Sequence, residues 1–116
     1  MKAEGCVFCQ IINKEIPAAV VYEDDLILAF KDINPQAPVH VLLIPKDHFA
    51  SLNDMPDEKK DIIGHIFTKA RDIAAEMGIK ERGYRIVLNT GQESGQDVFH
   101  IHYHLLGGRR MTWPPG

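Results

Sequence analysis

The stretch Phe99-His100-Ile101-His102-Tyr103-His104-Leu105-Leu106 alternates apolar and polar residues up to Leu105. An extended strand sends successive side chains to opposite faces, so His100, His102 and His104 share one face while Ile101, Tyr103 and Leu105 face the core. Successive imidazoles are then about 6.6 Å apart along the strand. Such a row suits two chemistries. In the first, two histidines at i and i+2 converge on a metal ion that takes further ligands from elsewhere. In the second, a neutral imidazole attacks phosphorus while its neighbours orient it or protonate the leaving group. Imidazole, with a reference pKa near 6.5, is mostly unprotonated and nucleophilic at neutral pH. A polar strand face open to water is the bland alternative, and three consecutive same-face histidines argue against it.

Upstream, the loop Thr90-Gly91-Gln92-Glu93-Ser94-Gly95-Gln96-Asp97 joins this strand to another over Tyr84 to Asn89. Its glycines let backbone N–H groups approach a phosphate closely, a weak signal alone that gains weight beside the histidine row. Further upstream, Ile62, Ile63, Phe67, Ala70, Ile73, Ala74 and Met77 recur at helical spacing between Asp57 and Met77. Asp54, Asp57 and Glu58 favour the N-terminal end of that main helix and Gly78 stops it. In the first half, Val20 to Tyr22 and Leu26 to Phe30 read as strands around the acidic turn Glu23-Asp24-Asp25, and Val39 to Ile44 as a third that Pro45 ends. Gln10 to Asn13 reads as the end of a short helix that Lys14-Glu15-Ile16-Pro17 terminates. Five strands, one long and one short helix and short connections predict an α+β domain with an antiparallel sheet, because only the helical connection is long enough for a parallel crossover.

No repeat or linker divides the 116 residues, so residues 1–116 are expected to form one domain. With 13 basic and 16 acidic side chains the net charge is −3, spread along the chain. Bulk electrostatic binding to nucleic acid is therefore not expected. There is no apolar run of membrane-spanning length, and Met1-Lys2-Ala3-Glu4-Gly5 lacks the apolar core of a secretory signal, so a soluble cytoplasmic protein is expected. The two cysteines form one Cys6-Val7-Phe8-Cys9 motif, which in a reducing compartment reads as metal binding or redox chemistry.

The segment Gln96-Asp97-Val98-Phe99-His100-Ile101-His102-Tyr103-His104-Leu105-Leu106 resembles the His-φ-His-φ-His-φ-φ signature, φ being apolar, of the histidine triad (HIT) superfamily of nucleotide hydrolases and transferases. The resemblance extends through Tyr22-Glu23-Asp24-Asp25, Asp32-Ile33-Asn34-Pro35-Gln36-Ala37-Pro38, His40 and Gly107-Gly108-Arg109 to Trp113-Pro114-Pro115-Gly116, and points to the Hint branch. By this similarity His102 is the nucleophile, forming a nucleotidyl-histidine that water hydrolyses. His104 binds the phosphate, and His40 and His100 support the triad. Asp32 stands where the family's carboxylate accepts hydrogen bonds from both ribose hydroxyls, a role that needs an acceptor pair. Val7, Phe8, Phe30, Ile33 and Leu42 match the apolar enclosure of a purine, though each alone reads equally as core. Asn89 and Gly95 match contacts around ribose and phosphate.

Asp97 departs from the pattern, since many members carry serine there. An ionised carboxylate there would repel the phosphate, so Asp97 is expected instead to bind a cationic amine leaving group or to shuttle its proton, with a solvated loop acid as the alternative. Cys6, Cys9, His48 and His100 resemble a zinc set found in a subset of HIT proteins, and Cys-x2-Cys is normal structural zinc spacing. Such a zinc would have a closed shell and a structural role; reduced, partly buried cysteines are the alternative. No organic cofactor is expected. His65 reads as a surface or satisfied side chain. The resemblance also implies a homodimer in which Trp113 lies near the partner's site. The expected activity is hydrolysis of purine nucleoside phosphoramidates to the monophosphate and an amine. Dinucleoside polyphosphate hydrolysis, or a nucleotide- or zinc-binding interaction module with incidental hydrolysis, are the alternatives.

Overall fold

A computed structural model describes residues 3–116; Met1 and Lys2, where the reading of the opening segment begins, lie outside the described residues. The chain runs α1 (Val7–Ile12), β1 (Val20–Glu23), β2 (Ile27–Lys31), β3 (Val39–Pro45), α2 (Lys60–Glu76), β4 (Tyr84–Leu88) and β5 (Tyr103–Gly107). Short 3-10 turns at Leu52–Asp54, Asp57–Lys59 and Gln92–Ser94 punctuate the connections. The strands form one sheet in the order β1-β2-β3-β5-β4, every neighbouring pair antiparallel. This is the predicted α+β architecture, and the long segment carrying α2 lets β3 and β5 become neighbours.

The sheet is apolar on both faces, which explains why β2 and β3 read as unbroken apolar runs. On one face Ile27, Ala29, Val41, Leu43, Ile101, Tyr103 and Leu105 pack against Ile62, Ile66, Ala70, Ile73 and Ala74 of α2. On the other, Leu28, Phe30, Leu42 and Ile44 pack against Phe8 and Ile11 of α1. Six residues of α1 cover much less of the sheet than α2 does, and the functional groups sit on this thinly covered face.

Three sequence expectations shift. The last strand was expected from Phe99, but the ladder begins at Tyr103. Pro45, at the end of β3, has no N–H with which to extend the ladder beyond the Leu43–Tyr103 pair. The Ile101 N–H goes instead to the Phe49 carbonyl at 2.7 Å. The alternation nevertheless persists through the irregular lead-in, with Ile101, Tyr103 and Leu105 buried in the α2 core. The α-helix begins at Lys60, after the 3-10 turn at Asp57–Lys59. Its buried face includes Ile66, which the spacing pattern missed, whereas Phe67 is 46% exposed and touches the core through an edge contact with Tyr103 at 5.7 Å. Gly78, at φ 77°, ends it as expected.

Candidate functional site

The histidines lie where β5, its lead-in and β3 meet α1. His104 is on β5 opposite Leu42, and His40 is on β3 opposite Leu106, so the two imidazoles meet diagonally across the ladder on the α1 side. His40 Nε2 is 2.9 Å from His104 Nδ1. Phe8 of α1 stands edge-on to the rings of both His100 and His102, with centroids 5.9 and 5.2 Å away. His100 is fully buried and His102 only 3% exposed.

Hydrogen-bond partners fix the proton positions. The carbonyl of His100 can only accept, and His102 Nδ1 lies 2.8 Å from it. Nδ1 of His102 therefore carries the hydrogen and Nε2 keeps the lone pair. Nε2 faces the cavity, 3.8 Å from the Asp97 carboxylate. The backbone N–H of Gln36 donates to His40 Nδ1 at 3.0 Å, so neutral His40 carries its hydrogen on Nε2 and donates it to His104 Nδ1. His104 then presents N–H at Nε2. Burial pushes the His40 pKa down, with Asp32 opposing. Burial likewise pushes His104 down to about 4, helped by the neighbouring His102 and His40 and opposed by Asp32 and Asp97. The arrangement is a lone pair beside a hydrogen-bond donor, the pair that attack on a phosphorus centre requires.

A cavity of about 360 Å³ opens onto this pair, lined by Val7, Phe8, Phe30, Ile33 and Leu42 among other apolar residues, and by Asp32, Asp97, His102 and His104. All five residues expected to enclose a purine are in its wall. Ile33 is fully exposed at the rim. Asp32 uses Oδ1 to accept from the Asn34 N–H at 2.8 Å, and its Oδ2 stands 3.4 Å from His40 Nε2. Neither Asn89 nor Gly95 is among the lining residues. Gly95 sits in the left-handed region at φ 87° after the 3-10 turn Gln92–Ser94.

Sequence reasoning missed Ile11, Ile16, Pro17, Ala18 and Val98 as further walls, because nothing in their local pattern separates a wall from a core residue. It also missed Gln96 as a loop anchor. This buried side chain accepts from the Gly91 N–H and donates to the Ala50 and Val98 carbonyls, holding the loop over the site.

Behind His100 lies a second cluster. His100 Nε2 donates to the Pro45 carbonyl at 2.9 Å, leaving the Nδ1 lone pair directed at Cys6 Sγ (3.4 Å), Cys9 Sγ (3.6 Å) and His48 Nδ1 (3.1 Å). Cys9 Sγ is 3.5 Å from His48 Nδ1, and all four ligand atoms lie within 4.8 Å of one another. Tetrahedral zinc with ordinary bond lengths has N···N and S···N edges of about 3.3 and 3.5 Å, so the donor set fits such an ion. The other close set, Asp32, His40 and His104, is joined by the His40 Nε2 hydrogen and reads as a relay of imidazoles. His65, read as a surface or satisfied side chain, is partly buried, with its Nε2 2.6 Å from Asp24 Oδ2.

Residues 13–111 match the family model described as the HIT domain, and the chain belongs to that family. It is 50% identical over 109 residues to the purine nucleoside phosphoramidase of Escherichia coli K12, covering 94% of this chain and 92% of that protein. A 14 kDa zinc-binding protein of Brassica juncea is 52% identical over 112 residues, covering 95% and 98%. Among solved structures, a HIT family hydrolase from Legionella pneumophila superposes with a TM-score of 0.94 at 54% identity, covering 97% of this chain and all of that one.

Proposed function

We propose that this protein hydrolyses the P–N bond of purine nucleoside phosphoramidates through a nucleotidyl intermediate on His102. The observation that carries the reading is the hydrogen bond from His102 Nδ1 to the His100 carbonyl, which leaves Nε2 as a buried lone pair facing the apolar cavity. The base lies between Val7, Phe8, Phe30, Ile33 and Leu42, the ribose hydroxyls reach Asp32, and His104 Nε2–H binds a phosphate oxygen. The same reading assigns Asn89 and Gly95 to the ribose and phosphate. His102 Nε2 bonds to phosphorus as the P–N bond breaks, and the amine nitrogen leaves with the electron pair and one proton taken up from solvent. Water then cleaves the intermediate, giving the monophosphate, free His102 and a proton. The 50% identity to a named phosphoramidase supports this choice within the family. Steady-state turnover of adenosine 5′-phosphoramidate tests it: His102→Ala is expected to retain AMP affinity and lose turnover, and wild-type protein that binds AMP without turnover would overturn it.

The same reading assigns zinc to Cys6, Cys9, His48 and His100. The fit of their distances to tetrahedral edges supports it, as does the likeness to a zinc-binding protein. A zinc with four protein ligands has no open position, so its contribution is to cross-link α1, the segment after β3 and the lead-in to β5. A reduced thiolate pair suits the cytoplasm. Trp113 is 81% exposed, with its ring 6.0 Å from the Arg85 guanidinium, and a homodimer would cover it.

A further inference from the structure

Asp97 is unlike the other polar groups around the cavity. His40 and His102 are buried and His104 and Asp32 partly so, whereas Asp97 is 84% exposed, yet its Oδ1 lies only 3.8 Å from the nitrogen assigned to attack. It also belongs to two cavities. Besides the nucleotide cavity it lines an adjoining recess of about 430 Å³, which shares Val7 and Val98 with the first and continues past them to Glu4, Phe99 and the proposed zinc ligands Cys6 and His48. Phe99 exposes 61% of its surface there.

In-line displacement puts the leaving atom on the far side of phosphorus from Nε2. With phosphorus about 3 Å from Nε2 in a near-attack pose, a carboxylate 3.8 Å from the same nitrogen, on an exposed side chain, is within reach of the leaving atom. An ionised carboxylate only accepts hydrogen bonds. The nitrogen of a phosphoramidate offers it an N–H; the bridging oxygen of a phosphoanhydride offers only lone pairs, and the anionic group beyond that oxygen would be repelled. The recess extends the preference outward, because a second carboxylate and an exposed aromatic face both favour a cation.

Building on the phosphoramidase reading, we propose that Asp97 sets leaving-group specificity, selecting amines that carry a positive charge, whose substituent occupies the recess between Asp97, Glu4 and Phe99. His102 Nε2 bonds to phosphorus as the P–N bond breaks, the nitrogen keeps the pair, and the proton it takes passes from solvent at the open mouth across the Asp97 carboxylate.

The test compares three adenosine 5′-phosphoramidates of one length, made from butylamine, 1,4-diaminobutane and 4-aminobutanoate. Wild-type protein is expected to show kcat/KM in the order ammonium, neutral, carboxylate, spanning tenfold or more at low salt and narrowing as salt is added. In Asp97→Asn the span is expected to fall to within about threefold with the melting temperature held. Glu4→Gln is expected to narrow the span severalfold, chiefly by slowing the ammonium substrate. A wild-type span within twofold, or a span that survives Asp97→Asn, overturns the proposal while leaving the phosphoramidase reading standing. Failure of wild type to turn over any of the three would instead overturn that reading, and this proposal with it.

Discussion

The His100 carbonyl and the Gln36 N–H are each one-way partners, and together they determine where three imidazoles carry their protons. His102 offers a lone pair at Nε2, and His104 offers N–H beside it. Replacing His102 by Ala is therefore expected to lower kcat by at least about a thousandfold while AMP affinity, measured calorimetrically, changes by less than about threefold. His40→Gln, which removes the imidazole that orients His104, is expected to lower kcat by about tenfold to a hundredfold with little change in AMP affinity. The triad was legible from alternation alone, because period two survives an irregular backbone: the side chains keep their faces even though regular pairing starts only at Tyr103. The tautomers were not legible, since they depend on backbone groups at Gln36 and His100 whose approach only the folded chain defines.

Element by element, α1 couples the two clusters. Cys6 caps it, its sulfur accepting from the Cys9 N–H, and Val7 and Phe8 between the two cysteines are walls of the apolar cavity beside His102. Stripping the proposed zinc with a chelator is expected to lower the melting temperature by about 8 °C or more, on the order of 2 kcal/mol. It is also expected to weaken AMP binding threefold or more, by loosening the Val7 and Phe8 wall. Unchanged melting and AMP affinity would count against this coupling. The turn after β5 gives a second test. Gly108 sits at φ 90°, and a Cβ there would stand 2.8 Å from Pro38 Cβ, so Gly108→Ala is expected to cost about 1–3 kcal/mol in chemical denaturation. Periodicity found α2 but chose Phe67 where Ile66 is buried; adjacent apolar residues at helical spacing do not by themselves say which row faces the sheet. Pro45 explains the shortened β5, a consequence of pairing that is visible only once β3 and β5 are known to be neighbours.

Across the whole molecule, the buried histidines make stability depend on pH. Burial pushes His100 and His104 down to about 4 from an ordinary value near 6.5. Between those values the unfolded chain binds protons that the folded chain refuses, so stability is full above about pH 6.5 and falls as pH drops toward 4. Asp24 extends the loss. Burial pushes its pKa up, but hydrogen bonds from Tyr22, His65 and the backbone of Ile27 and Leu26 hold it well below the ordinary carboxylate range. Its contribution is present above about pH 4 and is lost as pH falls further. Urea midpoints are expected to decline from pH 6.5 to 4, with His104→Asn flattening part of that slope; a midpoint constant over the interval would contradict the burial argument. Zinc, where bound, removes His100 from the titration by occupying its Nδ1. The fold class was legible at this scale from strand count and loop length, while the two-faced burial of the sheet appeared only in the packing of α1 against Leu28, Phe30, Leu42 and Ile44.

The central claim is that chemistry passes through a covalent bond to His102 Nε2, and rapid acid-free quenching of the enzyme during turnover of adenosine 5′-phosphoramidate, followed by mass analysis of the digested protein, tests it most directly. An adenylyl adduct on the peptide containing His102 is expected, formed at the turnover rate and absent from His102→Ala. Undiminished turnover in His102→Ala, or an adduct on another histidine, would contradict it.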